Sequence, residues 1–166
     1  MSFCADLQAA RAIGANNYDA AIEIYRKKIE ANPGDCFALS MLAHCYEWKG
    51  DLEAALEYGH KVLAQYPEDF YTLILVARCW SEKGNEEQTY SYVCRALENV
   101  PSAEPEDLPR VLYLILKLCS IFRRDRKLEA RAREDEMVFR RHYKESLGWA
   151  SKYKLWYEAR VSNTET

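Results

Sequence analysis

The chain has no glycine-rich phosphate loop, no nucleophile elbow and no paired-histidine metal motif. That removes the common sequence signs of phosphoryl transfer, acyl transfer and zinc hydrolysis. Only three histidines occur: His44, His60 and His142. His60 and His142 fall on charged helix faces, where solvation is the expected state. His44 sits beside Cys45, but adjacent helical residues diverge by about 100° and do not form a dyad. No enzyme is expected, and no cofactor or metal.

The six cysteines, Cys4, Cys36, Cys45, Cys79, Cys94 and Cys119, include no Cys-x-x-Cys pair, and no histidine stands at zinc-ligand spacing from two of them. Cys45 and Cys79 hold equivalent places in a repeat described below, which assigns them to helix packing. A reduced, cytoplasmic setting is the expectation. Long hydrophobic runs are missing too. Val111–Leu116 is the longest, about a third of the roughly 20 residues that span a bilayer. No basic stretch followed by an apolar run opens the chain, so no signal peptide is expected.

What is present is an interval. Pro33, Pro67 and Pro101 are equally spaced, thirty-four positions from one to the next. A period of that length is the mark of stacked helix pairs. Taking each proline as position 32 makes the units 2–35, 36–69 and 70–103. Position 8 then reads Ala9, Ala43 and Ala77, and position 20 reads Ala21, Ala55 and Thr89. Small residues there let neighbouring helices approach. Position 15 reads Asn16, Gly50 and Gly84, the types that tolerate left-handed backbone in a turn. Position 11 should be large and reads Ala12, Tyr46 and Trp80. Tyr46 and Trp80 are expected in the core.

Amphipathic second helices follow in each unit, at about Asp19–Ala31, Asp51–Gln65 and Glu86–Asn99, with Asp19 and Asp51 as expected N-caps. Each pair is too small to bury its own apolar face, and stacking supplies the shared core. After Pro101 the period breaks. The acidic segment 102–109 is a linker, and residues 106–147 read as a degenerate fourth helix pair. Trp149–Val161 is expected to be a capping helix, with Trp149, Tyr153, Trp156 and Tyr157 over the last core face.

The pattern resembles the tetratricopeptide repeat family. The second unit carries Leu39, Leu42, Ala43, Tyr46, Gly50, Asp51, Ala55 and Pro67. The third carries Leu73, Ala77, Trp80, Gly84, Ala96 and Pro101, and the first Tyr18, Ala21, Tyr25 and Pro33. Ala5 and Gln8 make the first unit's opening helix atypical, as terminal units are. The likeness covers about two-thirds of the chain. It implies an all-α fold, a right-handed α-solenoid of antiparallel helix pairs within one domain, 1–166. Single-domain chaperones of bacterial type III secretion share that architecture.

The resemblance also implies a concave groove lined by the first helix of each unit, where a protein or peptide partner lies. In the second and third units the candidate groove residues are Phe37, Met41, His44, Trp48, Tyr71, Ile74, Leu75 and Arg78. Ser40, Glu47, Ser81 and Glu82 share the same faces. In the first unit, Phe3, Asp6, Leu7, Ala10, Ile13 and Gly14 do. The surface is apolar and aromatic, and something should cover it. A partner's apolar or amphipathic segment and the chain's own C-terminal helix both remain open as the cover.

One subgroup of the family grips the C-terminal tail of Hsp70 and Hsp90 with a carboxylate clamp. The clamp positions here read Asp6, Ala10, Met41, Tyr71 and Leu75. No clamp residue is present, and that tail is not expected as a ligand.

Charge is uneven. Residues 1–109 hold 9 basic and 18 acidic side chains, net −9, and residues 110–166 hold 14 and 8, net +6. Arg123, Arg124, Arg126, Lys127, Arg140 and Arg141 form a candidate basic surface for nucleic acid or an acidic membrane. Glu129, Glu134, Asp135 and Glu136 interleave with them, which favours a solvated, salt-bridged helix instead. The functional reading is therefore an adaptor or chaperone-like binding module. Self-association and contact through the basic region are the alternatives.

Overall fold

The computed structural model describes residues 2–99 and Arg110. The expected fourth pair at 106–147, apart from Arg110, and the capping helix at 149–161 lie outside the described residues, as do all six arginines and lysines of the candidate basic surface. Every described element is an α-helix: α1 Ser2–Gly14, α2 Tyr18–Ala31, α3 Cys36–Lys49, α4 Leu52–Gln65, α5 Phe70–Glu82 and α6 Glu86–Glu98. The first helices of the units start at 2, 36 and 70, and the second helices at 18, 52 and 86. Both series repeat at the interval of the prolines. None of these helices is long and apolar enough to cross a membrane.

The turns explain why the interval is held so closely. Among the described residues, positive φ occurs only at Asn16 (56°), Gly50 (85°) and Gly84 (73°). These are the three residues of position 15. A left-handed residue ends a helix when the next amide reaches back to a free carbonyl. Here Asn17 N–H bonds Ala12 O at 2.8 Å, Asp51 N–H bonds Tyr46 O at 2.9 Å, and Asn85 N–H bonds Trp80 O at 3.0 Å.

The same three residues then cap the following helix. Asn17 Oδ1 accepts from Ala20 N (3.2 Å), Asp51 Oδ1 from Ala54 N (3.1 Å) and Asn85 Oδ1 from Gln88 N (3.0 Å). One residue thus closes one helix and opens the next, leaving no slack in the turn. Asn17, rather than the expected Asp19, caps α2. The cap must directly follow the left-handed residue, and Asp19 lies two residues too late. It pairs instead with Lys49 at 2.5 Å. Asp35 and Asp69 cap α3 and α5 in the same way, accepting from Ala38 N and Thr72 N.

Side chains at the small positions disappear into the stack. Ala9, Ala21, Ala43 and Ala55 are fully buried, and Ala77 and Thr89 nearly so. Tyr25, Leu42, Leu73, Val76 and Val93 fill the space between helices. Tyr46 is buried and Trp80 packs half-buried against the same core. Helix α3 packs on α2, α4 and α5, so the middle pair joins its neighbours through shared apolar surface. Cys45 and Cys79 are free thiols inside this core. Burial pushes the Cys45 thiol up to about 11. Burial first, then the charges of Glu47 and Glu82, pushes Cys79 up to about 12.

Candidate functional site

Met41, His44 and Trp48 on α3 are spaced i, i+3, i+7, and so are Tyr71, Ile74 and Arg78 on α5. In a helix such residues share one face along about 10 Å of axis. The two stripes face each other across an open cleft of about 570 Å³, completed by Arg110. That volume lies within the range of roughly 300–1,000 Å³ common for ligand sites.

Trp48 and Tyr71 are each 43% exposed. Met41 is partly buried and Ile74 is 5% exposed, so both form floor rather than wall. The Arg110 guanidinium sits 5.1 Å from the Tyr71 ring centroid, a cation–π distance.

A carboxylate beneath the surface organises the polar part. The Glu47 side chain is 7% exposed. Its Oε2 accepts from Arg78 Nη2 at 2.6 Å and lies 3.4 Å from His44 Nδ1. The first contact is short and charge-assisted; the second is long and weak. The His44 ring stacks on Trp48 with centroids 5.5 Å apart and planes 22° apart. Glu47 therefore holds Arg78 in place and helps to hold His44, whose ring in turn steadies Trp48. The cleft wall is arranged before anything binds.

Six of the eight candidate groove residues thus come together: Met41, His44, Trp48, Tyr71, Ile74 and Arg78. Phe37 does not line this cleft. It is 56% exposed, edge-on to Tyr25 at 6.4 Å, with Lys28 Nζ 5.4 Å from its centroid. Leu75 is 1% exposed and lies against α4, within reach of Gly59. Asp6, a groove position of the first unit, is held by Lys28 at 2.6 Å. Arg110 escapes the sequence reading because it lies beyond the repeat, where the period carries no positional information. Glu47 lies on the expected face, but only the structure shows it sunk and bridged.

A second cleft, of about 380 Å³, lies where α2 and α4 meet the end of α3. Its two cations have near neighbours: Lys49 pairs with Asp19, and Arg26 Nη2 donates to Tyr46 Oη at 2.6 Å. Among the described residues no three His, Cys, Asp or Glu side chains gather in a metal-holding group. The chemistry available in the α3–α5 cleft is that of recognition: aromatic surface, an apolar floor and oriented cations.

No protein-family model and no curated protein matches the chain. Solved structures do resemble it. The type III secretion translocator chaperone SycD of Yersinia enterocolitica superposes with a TM-score of 0.64 at 17% identity, over 74% of this chain and 81% of that one. TTC0263, a thermophilic TPR protein of Thermus thermophilus, gives 0.53 at 22% identity, over 87% and 86%. The TPR2AB domain of yeast Sti1, in a complex with pHSP90, gives 0.59 at 18% identity. That match covers 92% of this chain and 64% of that one. At these identities the likeness is one of fold: the chain has the tetratricopeptide-repeat architecture.

Proposed function

We propose that this tetratricopeptide-repeat solenoid is a protein-interaction module, an adaptor or chaperone-like unit without catalysis. It takes an apolar or amphipathic segment of a partner protein in the cleft between α3 and α5. The observation that carries the reading is the pair of half-exposed rings, Trp48 and Tyr71, held at opposite ends of a cleft with an apolar floor. Covering the exposed parts of both rings removes roughly 150–200 Å² of apolar surface, about 4 kcal/mol at 25 cal/mol/Å². Association entropy offsets much of that, so affinities in the micromolar range are expected for short segments. The fold relatives point the same way, since one is a translocator chaperone and another is bound to pHSP90. The Hsp70/Hsp90 tail itself is not the proposed ligand, because Asp6, Ala10, Met41, Tyr71 and Leu75 occupy the clamp positions.

The test is a pull-down with mass spectrometry, using the wild-type chain beside Trp48→Ala/Tyr71→Ala. Circular dichroism first establishes that both are folded. Proteins retained by the wild type and lost with the variant are the expected result. Matching lists from two folded baits would refute the cleft as the site. A labelled peptide ending Glu-Glu-Val-Asp should show no saturable binding to the wild type.

A further inference from the structure

We infer that the occupant of the α3–α5 cleft is an acidic amphipathic segment of a partner protein, with carboxylates set between two large apolar side chains. The inference rests on the cleft reading above and names the chemistry the cleft accepts.

Among the described residues, the lining contains two guanidiniums, Arg78 and Arg110, and one imidazole, His44, but no carboxylate. Glu47, on the same face of α3, lies below the surface and is already bridged by Arg78 and His44. Residues 1–109 carry a net charge of −9. The cleft is therefore a cationic window in a strongly acidic region. Arg78 keeps 35% of its side chain exposed and uses one Nη atom on Glu47. A guanidinium has five N–H donors, and carboxylates match its fork better than any other side chain. A wholly apolar occupant would bury the exposed part of Arg78 against nothing it can bond. A basic occupant would meet like charge.

Spacing sets the order of groups on the partner. Equivalent positions of α3 and α5 are one repeat apart, so Tyr71 stands level with Phe37, eleven residues before Trp48. At 1.5 Å per residue the two rings are about 16 Å apart along the helix direction. Met41, Ile74, His44 and Arg78 fall between them. Three helical turns or about five extended residues span that length. The expected occupant thus ends on apolar anchors and carries its acidic residues inside. A clamp for a terminal carboxylate would leave out the far aromatic; here Arg110 stands at the Tyr71 end, while Arg78 and His44 lie inside.

The test uses a phage-displayed random dodecapeptide library panned on the full chain. Winning peptides are synthesised and measured by fluorescence anisotropy. The proteins are wild type, Trp48→Ala/Tyr71→Ala, Arg110→Glu and Glu47→Gln/Arg78→Gln, the last keeping a neutral hydrogen-bonded pair in place of the ion pair. The expected winners hold two large apolar residues and more Asp and Glu than Lys and Arg. Their binding should vanish in the aromatic double variant. It should weaken about tenfold in Arg110→Glu, in Glu47→Gln/Arg78→Gln, and when the peptide's acids become amides. Winners that need Trp48 and Tyr71 but are basic or uncharged would overturn the inference and leave the cleft reading standing. Winners indifferent to Trp48 and Tyr71 would overturn both. A library with no enrichment above background would also overturn the inference, since a dodecapeptide is long enough to contain the whole proposed pattern.

Discussion

Gly59→Ala should destabilise this protein, although the same change in an exposed helix would stabilise it. Gly59 is buried near the middle of α4. An alanine Cβ there would lie 2.9 Å from Val76 Cγ2, 3.4 Å from Leu75 Cδ2 and 3.8 Å from Thr72 Cγ2. The equivalent residues of the other units are Tyr25 and Val93, so the missing side chain is particular to α4, and α5 settles into the space. Two effects compete. Helix propensity favours alanine by about 1 kcal/mol. Overpacking a closed core costs about 1–3 kcal/mol. Val76 is fully buried and β-branched, with one strongly preferred rotamer in a helix, and it cannot swing aside. Leu75 has no solvent to move into. The helices must part instead, and the net loss should be about 1 kcal/mol. For a chain of this size that lowers Tm by roughly 2–4 °C. Gly14→Ala is the control, since nothing lies within 4 Å of a Cβ at that position in α1. It should gain about 0.5 kcal/mol. Thermal melts by circular dichroism give both values. Equal or higher Tm for Gly59→Ala, with Gly14→Ala behaving as expected, would refute the close approach of α4 and α5.

Three further outcomes are expected. Asp69→Ala removes the acceptor for Thr72 N at 2.8 Å and should cost about 1 kcal/mol, measured by urea unfolding; Asp69→Asn should be nearly neutral. Gly50→Ala forces a Cβ into left-handed backbone at φ 85° and should cost about 1–2 kcal/mol. Gly50→Asn should cost less, because Asn16 already holds the equivalent turn in the first unit. At pH 8 an added thiol reagent should modify Cys4 and spare Cys45 and Cys79, whose burial disfavours the thiolate, as peptide mapping will show. The folded values of these two thiols are raised from 9.0 to about 11 and about 12. Their contribution to stability is complete below pH 9 and is lost as pH rises towards those values, because the unfolded chain releases its protons first. The urea midpoint should fall above pH 9, and less steeply in Cys45→Ala/Cys79→Ala.

Much of the fold could be read from the sequence because the repeat makes local chemistry recur. Position 15 admits left-handed backbone in all three units, and all three residues adopt it. The same interval, subtracted from Asp51, points to Asn17 as the cap of α2, a signal that the nearer acidic residue Asp19 obscured. The stripes Met41–His44–Trp48 and Tyr71–Ile74–Arg78 follow from helical spacing alone, since three and four residues make nearly one turn.

The helices, their turns and the faces they present were thus legible in the chain itself, because each depends on interactions within a few residues. Which residues of those faces line the cleft was settled by packing. Met41 and Leu75 hold the same repeat position, yet Met41 lines the cleft while Leu75 packs beside Gly59, because the size of a residue on α4 sets how α5 seats. Glu47 meets Arg78 from the preceding repeat unit, and Arg110 reaches Tyr71 from beyond the last repeat. Periodicity gives the direction of a side chain on its own helix. The distance to the next helix, and the group waiting there, come only from how the helices pack.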